Sequence, residues 1–261
     1  MRAMADAPFD GMAESYDEAF TNSPVGRALR DLVWNRLARL YRPAQRILEL
    51  NCGTGEDAIW LCQRGVKVLA TDSSAAMLAI ACRKSAQHDC SGQIEFRQLA
   101  LEQLGELTGL EKFDGLLSNF GGVNCVTDIG GVARQSARLL NPGAILVWVV
   151  MGRYVPWEWL WYLFHLDAAK AFRRLKDGGS QWRGISVRYP PPATVCADLK
   201  PFFRIRSVAP LGLVLPPSYA AGWLNRRPAL LRVLGRIEGL VHSISPLAWI
   251  SDHYIIEAER I

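Results

Sequence analysis

The sequence is poor in the residues that build metal and redox centres. Its four histidines are scattered, and its six cysteines (Cys52, Cys62, Cys82, Cys90, Cys125 and Cys196) form neither a CxxC pair nor a Cys/His spacing suited to zinc. No metal site and no redox dithiol is expected; the thiols read as small, reduced core hydrophobes, which points to the cytoplasm. Long apolar runs are lacking as well. The most apolar stretch, residues 144–166, holds Arg153 and Glu158 together with turn-forming Gly152 and Pro156, so it breaks before the roughly 20 residues that a membrane-spanning helix needs. The opening MRAMADAPFDGMAESYDEAF is interrupted by acids and offers no apolar core for a secretory signal. Internal repeats, low-complexity tracts and a dense basic stripe with interleaved aromatics are also missing, so nucleic acid is not an expected partner.

What is present suits a globular α/β protein. Half of the 261 residues are hydrophobic and 21% are charged, enough to bury one large core. Residues 1–150 carry 15 basic and 17 acidic side chains and residues 151–261 carry 15 and 8, so the net +5 arises wholly in the second part. Two readings of that basic half stand: a solvated face, or an attraction for an anionic substrate, a membrane surface or nucleic acid.

Periodicity orders the chain. Val25, Leu29, Leu32, Val33, Leu37 and Leu40 recur at helical spacing within residues 9–41, with Ser23 as cap and Pro24 at the first position. RILEL (46–50) reads as a strand, NCGTGEDA as a turn, and a helix follows to Gly65. The unit recurs as strand VKVLAT, a helix capped by Ser73 or Ser74, strand QIEFRQL, strand FDGLLSN, a helix near 128–140 and strand AILVWVV (144–150). Such alternation means a mostly parallel sheet covered on both faces. Beyond residue 150 the pattern predicts a tryptophan-rich helix over 156–176 and a strand at 184–189. After a PPP break come strands near 202–209 and 252–259, flanking a helical stretch at 217–242, and this last pair completes the sheet antiparallel. The division expected is lid helices at 1–45, a binding core at 46–150 and a substrate-side insertion with the final strands at 151–261, in a single domain overall.

The chemistry concentrates in two loops. Gly53 and Gly55 follow the first strand, where a missing Cβ lets the backbone approach a ligand and helix amides point at its polar groups. Asp72 ends the second strand, where a carboxylate in a βαβ unit accepts the ribose hydroxyls of a nucleoside, or else caps the next helix. A dehydrogenase fingerprint wants a third glycine where Ala58 stands, which only its relaxed form permits.

At ILELNCGTGEDAIWLCQRGVKVLATDSSAAML, residues 47–78, the sequence resembles the class I S-adenosylmethionine (SAM)-dependent methyltransferases. Glu49, Gly53, Gly55 and Asp72 match that family's acid, G-x-G turn and second acid. The resemblance implies a Rossmann-like, doubly wound, mostly parallel seven-stranded sheet with helical lid insertions, and SAM as cofactor. By that likeness Glu49 faces the amino end of the methionine moiety, Gly53 and Gly55 let it lie close, and Asp72 with Ser73 holds the ribose. Asn51 stands where the family's first glycine is usual, and it can still adopt a left-handed backbone. Leu99-Ala100-Leu101 replaces the acid often found against adenine, leaving Ala100 and Leu101, Glu102 or backbone groups for that contact. SNFGGVN (118–124) places Asn119, Phe120, Gly121 and Gly122 at the junction of cofactor and substrate. AESYDEAF (13–20) is similar to a lid helix whose tyrosine, here Tyr16, covers the cofactor; an amphipathic helix with Tyr16 packed on the sheet is the other reading.

These features imply methyl transfer to a small, partly apolar acceptor, with an oxygen favoured as the methylated atom. A hydroxyl acceptor needs a base, for which His88, His165, His242, His253, Tyr16 and Glu158 are available. His165, on the aromatic helix with Trp157, Trp159, Trp161, Tyr162 and Phe164, is the candidate together with Tyr16, against a purely packed role; His253, inside the last predicted strand, reads as structural. The aromatic helix suits an aromatic or lipid-like acceptor, and Arg153, Arg183 and Arg188 suit an anionic group on it. The alternatives are an RNA or protein methyltransferase using the basic half, and a SAM-binding module without catalysis.

Overall fold

A computed structural model describes residues 9–261 apart from 91, 183, 218–221, 223 and 225. The helix expected over 9–41 is broken. A 3-10 turn (Asp10–Met12), α1 (Ala13–Tyr16) and a π turn (Asp17–Thr21) precede α2 (Pro24–Leu40). α2 itself starts at the expected cap: Ser23 Oγ accepts from the Gly26 amide at 3.0 Å and Pro24 fills the first helical position, where no N–H is needed.

From there strand and helix alternate: β1 (Arg46–Leu50), α3 (Glu56–Cys62), β2 (Lys67–Asp72), α4 (Ala75–Gln87) and β3 (Ile94–Gln98), then β4 (Phe113–Ser118), α5 (Ile129–Leu139) and β5 (Leu140–Met151). Ser74, rather than Ser73, caps α4 by accepting from the Met77 amide. The second part holds α6 (Pro156–Phe164), the short α7 (Ala168–Ala171), the hairpin β6 (Ser180–Trp182) and β7 (Ile185–Val187), α8 (Pro192–Leu199), β8 (Phe203–Leu211), α9 (Pro228–Val241) and β9 (His253–Arg260). Most of the expected tryptophan helix is thus cut at Phe164. The PPP break also opens a helix that the sequence reading left out, with Pro192 at its first position. Of the helix expected over 217–242, residues 218–221, 223 and 225 lie outside the described residues.

Seven strands form one sheet in the order β3-β2-β1-β4-β5-β9-β8. The first five are mutually parallel, and β9 runs antiparallel to both β5 and β8. The order reverses between β1 and β4, so the loops after those strands open a crevice at the carboxyl edge, where open α/β sheets hold ligands. Alternation along the strands feeds two cores. Leu116, Leu146, Trp148, Tyr254 and Ile256 face α5 and α8, while Leu117, Val147, Val149 and Ile255 face α2.

One cysteine expectation is corrected: Cys62, ending α3, is disulfide-bonded to Cys90 in the turn before β3, with Cα atoms 6.1 Å apart. Parallel crossovers bring these two turns side by side, which a separation of 28 residues conceals. Cysteine usage therefore no longer speaks for a reducing compartment. Among the described residues no helix is long and apolar enough to cross a membrane, and no cluster of His, Cys, Asp and Glu could hold a metal ion.

α9 is fixed to the sheet by buried polar groups. Glu238, fully buried, accepts the amides of Gly212, Leu213, Val214 and Leu215 at 2.7–3.1 Å. His242 Nδ1 meets the Pro210 carbonyl at 2.7 Å, and Arg36 Nε donates to its Nε2 at 2.6 Å. Burial, and then the Arg36 charge, push the His242 imidazole down to about 4. Between pH 6.5 and 4 the unfolded chain therefore binds a proton that the folded chain refuses, and stability falls as pH drops through that window, by up to about 3 kcal/mol. Urea unfolding at pH 7 and pH 4.5 should show this loss in the wild type, and His242→Gln should flatten it; an unchanged slope would refute the assignment.

Candidate active site

The loop after β1 is shaped by backbone. Asn51, Gly53 and Gly55 all have positive φ (50°, 54° and 77°). A Cβ on Gly55 would press on Ala81 of α4, so the third of these turns needs glycine for space as well as conformation. Asn51 uses its left-handed backbone to send its amide across to the next loop, where Nδ2 donates to the Asn119 carbonyl (2.9 Å) and Oδ1 accepts from Ser118 Oγ (2.6 Å). It fills the space that a side chain at 122 would occupy, and so dictates Gly122.

Two carboxylates face this loop. Asp72 Oδ2 accepts from the Gly53 amide (2.8 Å) and Oδ1 from the Ser74 amide (2.9 Å), leaving each oxygen a further lone pair. Burial raises its pKa against those bonds. Glu49 is more exposed energetically: it is 1% accessible, and its Oε2 has no hydrogen-bond partner. Burial first, then the nearby Asp57 charge, push its carboxyl well above the ordinary range. Such a group stands ready for a cationic or hydrogen-bonding ligand.

Asp57, which sequence reasoning missed, joins the loops. It accepts from Arg30 Nη1 (2.6 Å), Trp34 Nε1 (2.7 Å) and Asn119 Nδ2 (2.8 Å). The signal was available in Arg30, a charged residue placed within the buried stripe of α2 beside Leu29 and Val33. Arg30 also lies over the Phe120 ring, 4.9 Å from its centroid. Phe120 has φ 47° and Gly121 φ 88°, and Phe120 meets Phe20 edge-on at 4.9 Å.

The amino-terminal segment closes over these loops through its acids, also missed in the sequence. Asp10 Oδ1 accepts from Ser74 Oγ at 2.5 Å; Asp17 accepts from Thr54 Oγ1 at 2.6 Å and from Lys84 Nζ at 2.7 Å. Tyr16 sits beneath, half-buried, its hydroxyl pKa raised by burial against the Arg30 charge. Tyr16, Arg30, Asn51, Thr54, Asp57 and Phe120 line a cavity of about 30 Å³. That is room for about one water, so a nucleoside-sized group enters only with displacement of the lid. A larger groove of about 200 Å³, between residues 101–107 and α5, includes none of the predicted site residues.

The structure thus gathers Tyr16, Glu49, Asn51, Gly53, Gly55, Asp72, Asn119, Phe120 and Gly121 at the carboxyl edge. Ser73, Ala100 and Leu101 lie half-buried at the ends of β2 and β3, where the Ser73 carbonyl accepts from Gln98 and the Ala100 amide donates to Gln103. His165 is not gathered in. It caps the exposed end of α6 next to Phe164, with Nδ1 on the Trp161 carbonyl at 2.7 Å. Glu158 is paired with Arg173 and Arg174, Arg153 donates to the Leu175 carbonyl, and Arg188 reaches the Thr127 carbonyl at 3.5 Å. Arg183 lies outside the described residues. The histidine that does reach the edge is His253, read from sequence as structural. Its ring meets Phe120 edge-on at 5.7 Å, and its Nδ1 is 3.0 Å from Asp252 Oδ2. Burial works to raise the Asp252 carboxyl, yet Arg174 and His253 outweigh it and hold it well below the ordinary range.

A reversing sheet with a left-handed glycine loop and an acid ending β2 is an arrangement in which α/β proteins hold nucleosides. Residues 47–143 match a family model described as a methyltransferase domain. Bacillus subtilis YqeM, named only as a methyltransferase, is 30% identical over 147 residues, 54% of this chain and 55% of that protein. The demethylmenaquinone methyltransferase of Mycobacterium marinum is 30% identical over 146 residues, covering 53% and 55%. A tRNA 5-carboxymethoxyuridine methyltransferase of Escherichia coli is also among the relatives. The chain spans about half the length of the curated relatives it matches. Among solved structures, that of the [4+2]-cyclase SpnF aligns over 97% of this chain and 94% of its own, with TM-score 0.64 and 14% identity; the shared feature is the fold.

The unpartnered Glu49 oxygen gives a test with opposed readouts. Glu49→Gln replaces a buried carboxyl whose ionisation burial disfavours with an amide of the same shape, so the melting temperature of the ligand-free protein should hold or rise. Affinity for SAM should fall at least about tenfold with loss of the charged acceptor. A variant that is less stable and binds normally would show that Glu49 is structural.

Proposed function

We propose that the protein binds SAM at this edge and transfers its methyl group to a small, partly apolar acceptor, a metabolite or natural product, most readily at a hydroxyl oxygen. The observation that carries the reading is Glu49. A buried carboxylate with an orphaned oxygen, beside a loop held open by left-handed residues, fits the ammonium of a methionine moiety. SAM supplies an electrophilic methyl group on sulfonium; the rest is alignment and exclusion of water.

The chain's own residues divide that work. Gly53 and Gly55 bring backbone close to the methionine chain, and the free lone pairs of Asp72 accept the ribose hydroxyls, with Ser73 alongside. Ala100 and Leu101 flank the adenine. Asn119, Phe120 and Gly121 border the transferred methyl, and Tyr16 with Phe20 roofs it. Phe20 and Phe120 offer an apolar wall to the acceptor, in keeping with the quinone in one relative's name. For proton removal from a hydroxyl, His253 is better placed than His165, since it lies 3.0 Å from Asp252 and adjoins Phe120.

Calorimetric titration with SAM and, separately, NAD should give saturable binding for SAM alone, and Asp72→Ala should weaken it at least tenfold. If neither ligand binds, or NAD binds instead, the reading fails. Once an acceptor is in hand, His253→Ala should lower kcat about a hundredfold while sparing SAM affinity, and His165→Ala should leave kcat unchanged. The reverse pattern would restore His165 as the base.

A further inference from the structure

The outer face of α9 is apolar although nothing among the described residues covers it. Leu230, Leu231 and Leu234 pack inward against the α2-side core, and buried Glu238 locks the helix in that orientation. Outward, Val233, Ile237 and Leu240 follow at spacings of four and three, and Ile244 lies exposed just past the helix end. Val233 is 50% exposed and Leu240 75%. Trp249 and Ile250, also exposed, follow the stripe.

Charge tells what this face fits. Residues 226–250 contain four arginines, Arg226, Arg227, Arg232 and Arg236, and one acid, Glu238. The acid is fully buried and spent on backbone amides, whereas Arg232 and Arg236 are exposed beside the stripe. A second copy seated on the same stripe would bring its own Arg232 and Arg236 against these two, and no exposed carboxylate from this segment to meet them. Nucleic acid would pair the arginines but leave Leu240 and Trp249 in water. A bilayer of anionic lipid satisfies both parts, with headgroup phosphates for the arginines and acyl chains for the stripe, and tryptophan at the boundary between them.

We propose that α9 and residues 244–250 dock the protein in the plane of an anionic phospholipid surface. The surface holds the protein peripherally, without crossing. This inference is independent of the methyltransferase reading, since its readout is binding to lipid.

Co-sedimentation of the full chain with vesicles decides it. Vesicles of phosphatidylcholine with about a third phosphatidylglycerol should pellet the protein, and pure phosphatidylcholine should bind it at least about tenfold less. Leu240→Asp and, separately, Arg232→Glu with Arg236→Glu should each cut binding about tenfold or more. All these side chains point outward, so circular dichroism and melting temperature should be unchanged, which excludes misfolding. Binding absent from anionic vesicles, equal on neutral ones, or unaffected by Leu240→Asp would overturn the proposal. So would a concentration-dependent dimer abolished by Leu240→Asp without lipid, which makes a second copy the occupant. Retention on nucleic acid lost only with the arginines, in place of vesicle binding, would overturn it equally.

Discussion

The site is held together by one buried carboxylate, Asp57. Through Arg30 and Trp34 it ties α2 to the glycine turn, and through Asn119 it ties the same turn to the loop after β4. Three segments distant in sequence therefore share one buried charged centre. Breaking such a pair by removing one partner typically costs about 3–5 kcal/mol, because the remaining charge stays buried. The ring of Phe120 takes its position from the same centre, since the Arg30 guanidinium that answers Asp57 also lies over it. Wherever the lid goes when a ligand enters, α2 and the two loops form the frame against which it moves.

Asp57 and Glu49 are neighbours with opposite fates. Asp57 has three donors; Glu49, buried as deeply, leaves an oxygen unanswered and is pushed toward its neutral form. A fold optimised only for stability would not keep such a group, and active sites are where uncompensated burial of this kind is tolerated. The amino-terminal acids act differently. Asp10 and Asp17 grip polar groups at the start of α4 and in the glycine loop, so the lid is fastened by bonds that water can replace, and its opening leaves no charge stranded.

Much of the architecture was legible because period and punctuation agreed. RILEL-NCGTGEDA and VKVLAT-D-SS each join a strand pattern to a turn with its own chemistry, and both fell where read. The Ser23-Pro24 pair marked its helix start for the same reason. What escaped depended on contacts between distant segments. Arg30 and Asp57 are unremarkable apart and informative only as a pair. His253 looked like one polar residue in a strand, until pairing with β5 put that strand's first residue opposite Met151 at the carboxyl edge. His165 misled because an aromatic neighbourhood in sequence suggested a pocket, whereas the chain turns at Phe164 and leaves the ring exposed. The Cys62–Cys90 bond is hidden in the same way, being a product of crossover geometry alone.

The interlock of Asn51 with Gly122 makes two positions distant in sequence a single steric unit. The amide of Asn51 occupies the volume of a Cβ at 122, so a side chain there requires Asn51 to move. Moving it breaks the bonds to Ser118 and Asn119, so an insult to the second loop is felt as a loosening of the first.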